Sequence, residues 1–201
     1  SIIDRVLRAQ PEDREWITFR VTTLCAEGRY ARWSGHLAEA ESLLRQAVEQ
    51  AETLAARLSG DAQSAHLLHD TREWLAGVLW DSGQHDESRE LYAMLLEVWR
   101  SAAADATATV DNHRRLADLL LHCPAEDLRD PVEALQVAGR GVERTQGRSV
   151  HLLALMAAAQ HANGQFAEAR TTAAQALALV HSGPSPIRSD LEDLLATLPS
   201  P

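Results

Sequence analysis

The chain has 201 residues, 45% of them apolar and 4% aromatic, which is enough for one globular domain with its own core. Its 34 alanines and 29 leucines favour helices and argue against a β-sandwich, a collagen-like fibre or a disordered chain. The net charge is −10, and all 19 basic residues are arginines. Such an acidic surface repels phosphate groups, so we expect neither nucleic acid nor a membrane as a partner. No apolar stretch approaches the roughly 20 residues of a membrane span, and we expect a cytoplasmic protein.

The predicted elements are pairs of helices joined by short turns, because apolar residues recur every three or four positions along most of the chain. After an N-terminal helix in residues 1–15, we expect helix–turn–helix units at 16–59, 62–104, 107–147 and 149–182. A C-terminal capping helix is predicted at 185–198. Ser185 and Pro186 suit its start, and its apolar face would carry Leu191, Leu194, Leu195 and Leu198.

The turns within the units share a pattern of residues. Three of them read Ser34-Gly35-His36, Ser82-Gly83-Gln84 and Asn163-Gly164-Gln165. The remaining turn is longer, and there Asp130 is a good N-cap and Pro131 suits the first helical position. The small residues that follow the four turns, Ala40, Ser88, Ala134 and Ala169, are separated by 48, 46 and 35 positions. Longer helices in the first two units would explain the wider spacings.

This pattern of large and small residues resembles the tetratricopeptide repeat (TPR). The last unit matches it best, with Met156-Ala157, Gly164, Ala169 and Ala176. The resemblance covers about residues 16–182. It implies an all-α fold, a right-handed α-solenoid of about four TPR-like units with terminal helices, in which the first helices line a concave surface.

On that resemblance, certain side chains of the first helices lie on the concave surface and would contact a partner. They are Arg29, Arg32 and Trp33 in the first unit, Asp70, Glu73 and Trp80 in the second, Arg114, Asp118 and His122 in the third, and His151 and His161 in the fourth. Tryptophan and arginine commonly dominate interface energetics. We therefore expect a protein or peptide partner of mixed charge with an apolar anchor. The lysine-containing clamp by which some TPR domains hold chaperone C-termini is not expected, because the chain has no lysine.

No residue pattern points strongly to metal or catalytic chemistry. His66, His69 and Glu73 recur on one predicted helix and form either a metal-binding face or an exposed polar face. We expect the polar face, because no fourth ligand is implied. Acidic pairs such as Glu192-Asp193 are expected in first helical turns, where the helix dipole favours them. We therefore expect no catalytic residue, no metal and no cofactor.

The two cysteines, Cys25 and Cys123, are far apart in the sequence and are expected as unpaired thiols in a reducing compartment. His122 is next to Cys123, but adjacent side chains on a helix point about 100° apart and do not face each other. A thiol–imidazole catalytic pair is therefore not expected.

Three roles remain open. The leading hypothesis is a non-catalytic scaffold for protein–protein interaction. The second is a regulatory or dimerising segment of a larger bacterial signalling protein such as a Ser/Thr kinase. It is suggested by a first residue that is Ser rather than Met, and a homodimer is possible. The third is a small-molecule or metal-binding helical domain, suggested by the nine histidines. The absence of lysine, together with the excess of alanine, points to a GC-rich bacterial genome.

Overall fold

The computed structural model describes residues 13–180 and 185–199. These residues are all-helical apart from turns, and no strand occurs among them. They divide into two compact units whose border falls between Leu95 and Leu96. Most of the N-terminal helix predicted in residues 1–15 lies outside the described residues, as do the last two residues of the unit predicted at 149–182.

Four long helices begin in the first unit. They are α1 (Arg14–Trp33), α2 (Leu37–Arg57), α3 (Ala62–Asp81) and α4 (His85–Ala104), which continues across the border. The second unit contains shorter helices. They are α5 (Val110–His122), a 3-10 turn (Glu126–Leu128), α6 (Pro131–Arg144), α7 (Val150–Ala162), α8 (Phe166–Leu179) and α9 (Pro186–Thr197). Helices α1 to α4 have 20 or 21 residues and α5 to α8 have 13 or 14, so longer helices account for most of the wider spacing. The longer turn between α5 and α6 accounts for the rest of the second spacing.

Within each unit, every helix packs on the next one along the chain, and alternate helices also pack side by side. In the first unit α1 contacts α2 and α3, and α2 contacts α3. In the second unit α5 contacts α6 and α7, and α7 contacts α6, α8 and α9. This is the packing of stacked helical hairpins, and it is consistent with a helical solenoid.

Side-chain caps mark the starts of several helices. Asp13, Asp61 and Ser149 each accept a hydrogen bond from a backbone N–H in the first turn of α1, α3 and α7. Asp130 accepts one from the Glu133 N–H at 2.9 Å. Ser185 caps α9 in the same way, so both sequence-predicted caps are confirmed.

The three glycine turns have one geometry. Gly35, Gly83 and Gly164 have φ of +80°, +80° and +74°. In each turn the glycine N–H donates to the carbonyl three residues back, and the next N–H donates to the carbonyl five residues back. These two bonds define the Schellman motif, in which the left-handed residue is usually glycine because it has no Cβ. The shared sequence pattern therefore produces one repeated turn.

Small residues let the paired helices approach closely. A Cβ on Gly28 of α1 would lie 2.8 Å from Leu44 Cγ on α2, closer than packed carbon atoms come. The core of the first unit is made of Ile17 and of leucines, valines and alanines from α1, α2 and α3. In the second unit Leu153 and Ala157 pack with Ala173, Ala176 and Leu191. Alternating large and small apolar side chains fix the rotation of each helix and so select the face that stays open.

Candidate binding surfaces

The second unit contains a cleft of about 800 Å³ between α5, α7 and α9. We call it the α5–α7–α9 cleft. Each helix presents side chains at helical spacing to it. They are Arg114, Asp118 and His122 from α5, His151, Ala154, Leu155 and Ala158 from α7, and Ile187, Asp190, Leu191, Asp193 and Leu194 from α9. Its volume is within the roughly 300–1,000 Å³ that is usual for ligand pockets.

The floor of the cleft is apolar. Leu155 and Leu191 are 8% and 1% exposed and close its base, while Leu194 is half-buried. Ala154 and Ala158 face the cleft one helical turn apart, and their short side chains leave the space open. Apolar side chains of a bound molecule would therefore lose contact with water here.

The rim of the cleft is acidic. Asp118 comes from α5, and the exposed Asp190 and Asp193 come from α9. Arg114 also lines the cleft, but its guanidinium donates two hydrogen bonds to Asp111, at 2.9 and 2.7 Å. Asp111 also accepts a hydrogen bond from Arg115 at 2.7 Å, so it balances only part of the charge of Arg114. The three rim carboxylates still outnumber the one arginine that lines the cleft.

One histidine at this rim is held by a carboxylate. Asp118 Oδ1 lies 2.9 Å from Nδ1 of His122. That hydrogen bond raises the pKa of His122, and the charges of Asp118 and Asp190 also raise it, while desolvation and Arg129 oppose the increase. Protonation of His122 therefore reduces the negative charge of the rim at a higher pH than is usual for histidine.

The first unit has a second cleft, of about 700 Å³, between α1 and α3. Arg29 places its guanidinium 4.1 Å from the ring centre of Trp74, a cation–π contact. Nε of Arg32 donates to Asp81 at 2.6 Å. The same guanidinium lies against Gly77, where a Cβ would be 2.6 Å from one of its nitrogens. We call this the α1–α3 cleft, and its two arginines are held by partners within the unit.

An aromatic stripe runs along one face of α1, and Ala26, Tyr30 and Trp33 within it also line the α1–α3 cleft. The stripe is made of Trp16, Phe19, Thr23, Ala26, Tyr30 and Trp33, spaced alternately by three and four residues. Phe19, Tyr30 and Trp33 are 52%, 67% and 83% exposed, which is unusual for large apolar side chains on a single helix.

The equivalent face of α3 is buried against other helices. The residues of α3 that lie 48 positions after Trp16, Thr23 and Tyr30 are Ser64, Thr71 and Val78, and all three are buried. Thr71 contacts Cys25 of α1, and Val78 packs in the core with residues of α1 and α2. The aromatic stripe therefore corresponds to the face by which α3 packs on the hairpin before it.

The structure brings some of the sequence-predicted residues together and leaves others apart. Arg114, Asp118, His122 and His151 meet at the α5–α7–α9 cleft, and Arg29, Arg32 and Trp33 meet at the α1–α3 cleft. Four others line neither cleft. Trp80 packs its ring on His85 at 4.4 Å, and His161 packs on Phe166 at 5.7 Å, because both precede a tight turn and stack across it. Asp70 lines a smaller pocket beside α1, and Glu73 is half-buried on α3.

Sequence reasoning missed the contribution of α9. Glu192 and Asp193 were expected in a first helical turn, but α9 begins at Pro186, so this expectation was wrong. Asp190 and Asp193 instead face the α5–α7–α9 cleft. Their spacing of three residues, on the same face as Ile187 and Leu194, is the signal that could have identified them.

Neither cysteine is arranged as a nucleophile. Cys25 Sγ donates to Thr71 Oγ1 at 3.5 Å, and burial raises the pKa of the thiol. Cys123 is buried, and burial raises its pKa as well. Neither takes part in a disulfide. In the part of the chain that the structure describes, no three His, Cys, Asp or Glu side chains are grouped to hold a metal ion. None of the described helices is both long and apolar enough to cross a bilayer.

No protein-family model matches the chain, and no curated protein matches it. Among solved structures it is similar to BtubC (BKLC) from P. vanneervenii, with a TM-score of 0.62 and 17% sequence identity. The match covers 96% of this chain and 79% of BtubC. At this identity the similarity shows the fold alone, an all-α fold of the helical-repeat kind.

Proposed function

We propose that the chain is a non-catalytic protein-interaction module that binds a segment of another protein in the α5–α7–α9 cleft. The observation that carries the proposal is the cleft itself, an apolar floor with a charged rim, built from three helices of which α7 packs on both α5 and α9. Interfaces combine buried apolar contacts with a polar rim in this way. The protein would then be a scaffold without a cofactor, which acts by presenting the cleft in a fixed geometry.

We further propose that the helical hairpins are TPR-type repeats, four in number, in a right-handed superhelix. The three identical glycine turns support this proposal, as does the close approach at Gly28 that an added Cβ would block. A bacterial, cytoplasmic protein of this type fits the lysine-free, alanine-rich composition.

Binding rather than catalysis is supported by the state of the reactive groups. Both thiols have pKa values raised by burial. A thiol kept protonated is a poor nucleophile.

The test is a selection from a displayed peptide library, with the binders then measured by fluorescence anisotropy. Ala158→Trp fills the cleft, and Ala174→Trp places the same side chain on the exposed face of α8. We expect selected peptides to bind the wild type and the Ala174 variant equally and to lose at least tenfold in affinity for the Ala158 variant. Helical circular dichroism checks that both variants fold. Equal binding to all three proteins would reject the cleft as the binding site.

A second candidate function is dimerisation through the aromatic stripe, and the spacing of the stripe supports it. If two copies of α1 packed antiparallel, Trp16 would meet Trp33 of the other copy, Phe19 would meet Tyr30, and Thr23 would meet Ala26. A two-fold interface requires such a self-complementary pattern.

Sedimentation equilibrium tests the second candidate directly. We expect a concentration-dependent dimer for the wild type and a monomer for the double variant Phe19→Ser, Tyr30→Ser. Two serines on the exposed face of α8, at Ala174 and Ala178, form the control and leave the dimer intact. A wild-type protein that is monomeric up to high micromolar concentration would exclude this candidate.

A further inference from the structure

We infer that the segment bound by the α5–α7–α9 cleft is basic and amphipathic, with apolar side chains on the floor and arginine or lysine at the rim. This inference rests on the proposed function and names the class of partner for the same site.

The floor selects for apolar side chains that project from one face of the partner. Ala154 and Ala158 open a space one helical turn long, and Leu155 and Leu191 close it from below. A segment with apolar residues at helical spacing matches that length, since its side chains also recur every turn. Polar side chains on the floor would lose water without gaining hydrogen bonds, which is unfavourable.

The rim selects for positive charge. Asp118 on α5 and the pair Asp190 and Asp193 on α9 all line the cleft, so a segment lying on the floor has carboxylates of both helices beside it. The Debye length is about 8 Å at physiological salt, which means that carboxylates lining the cleft act on a bound segment while more distant charges are screened. Arg114 offsets part of this charge, because Asp111, which accepts its hydrogen bonds, is shared with Arg115. The three carboxylates that line the cleft outnumber this one arginine.

The excess of carboxylates at the α5–α7–α9 cleft is a local feature, because two other surfaces of this acidic chain do not share it. The α1–α3 cleft has a comparable volume but is lined by two arginines and one aspartate. The exposed face of α6 carries Arg140 and Arg144 beside Glu143. A basic segment therefore gains favourable electrostatics at the α5–α7–α9 cleft that neither of those surfaces offers.

The test uses a displayed library of amphipathic 14-residue peptides, with fixed apolar positions and with Arg, Lys, Gln, Glu or Asp allowed elsewhere. Selection on the wild type is followed by removal of peptides that also bind the Ala158→Trp variant. We expect the remaining peptides to be enriched in Arg and Lys. Enrichment in neutral or acidic peptides that need the open cleft would overturn this inference and leave the proposed function standing. A selection that yields no peptide dependent on the open cleft would overturn both this inference and the proposed function.

A charge-removal experiment then assigns the rim. In the double variant Asp190→Asn, Asp193→Asn we expect the affinity for a selected basic peptide to fall about fivefold, as expected for the loss of two exposed ion pairs. The matched control, Glu143→Gln with Glu168→Gln, changes the net charge equally on exposed surfaces outside the cleft and is expected to have under a twofold effect. Equal losses in the two double variants would show that only the net charge matters, which would refute the rim assignment.

Discussion

The turns of the second unit provide a quantitative test of the fold, because one substitution should have opposite effects at two glycines. Gly164 has φ of +74°, and a Cβ there would meet no atom within 4 Å. Gly139 lies within α6, where a Cβ also meets no atom within 4 Å, and it has no positive φ. Steric clash is therefore absent at both sites, and backbone conformation alone decides the outcome.

The expected magnitudes follow from that difference. Alanine in the left-handed region costs about 1–2 kcal/mol, while replacing a flexible glycine returns about 0.4–1 kcal/mol through the unfolded state. Gly164→Ala should therefore destabilise by about 1 kcal/mol. Gly139→Ala should stabilise by about 0.5–1 kcal/mol, because alanine is the better helix former.

A third variant, Gln146→Gly, makes the opposite change, from a side chain to glycine at a left-handed position. Gln146 has φ of +52° and ends α6 in the left-handed conformation that the other turns give to glycine. Its side chain is exposed and accepts a hydrogen bond from Arg148, an exposed contact worth little. Gln146→Gly should therefore stabilise by about 0.5–1 kcal/mol. Urea unfolding followed by far-UV circular dichroism measures all three variants. A change of stability in the same direction for Gly164→Ala and Gly139→Ala would contradict the assignment of opposite backbone conformations to these two glycines.

Three further predictions concern the surface and the reactive groups. Affinity for a basic peptide should rise as pH increases through the raised pKa of His122, because deprotonation leaves the charge of Asp118 uncompensated. Measuring the affinity between pH 5.5 and 8.5 tests this prediction, and an affinity that does not change with pH would contradict it. Cys25 and Cys123 should react slowly with Ellman's reagent in the folded protein at neutral pH, since burial raises both pKa values, and both should react completely after unfolding. Rapid labelling of the folded protein would contradict this prediction. Trp33→Phe should remove most of the tryptophan fluorescence that acrylamide quenches, because Trp33 is 83% exposed; unchanged quenching would contradict that exposure.

The sequence was a good guide to local structure because local structure depends on nearby residues. The caps at Asp130 and Ser185 and the glycine turns follow from short-range hydrogen bonding, and the structure contains them. Asp118 and His151 were predicted as concave-surface residues from the TPR resemblance, and both line the cleft.

What the sequence could not supply is the rotation and placement of whole helices. Asp193 was interpreted as a helix-dipole residue, but the packing of Leu191 in the core turns that face of α9 towards the cleft. Trp80 was expected on a binding surface, whereas the ring of His85 across the turn gives it an intramolecular partner. Such contacts depend on tertiary packing, which periodicity alone does not encode.

Amide NMR chemical-shift mapping during titration with a selected basic peptide shows directly whether the α5–α7–α9 cleft binds the segment. We expect the largest shift changes on residues of the cleft, including Ala154, Ala158 and Leu191, and we expect Ala158→Trp to abolish them. Shift changes confined to the exposed faces of α6 and α8, or unchanged by Ala158→Trp, would contradict this expectation.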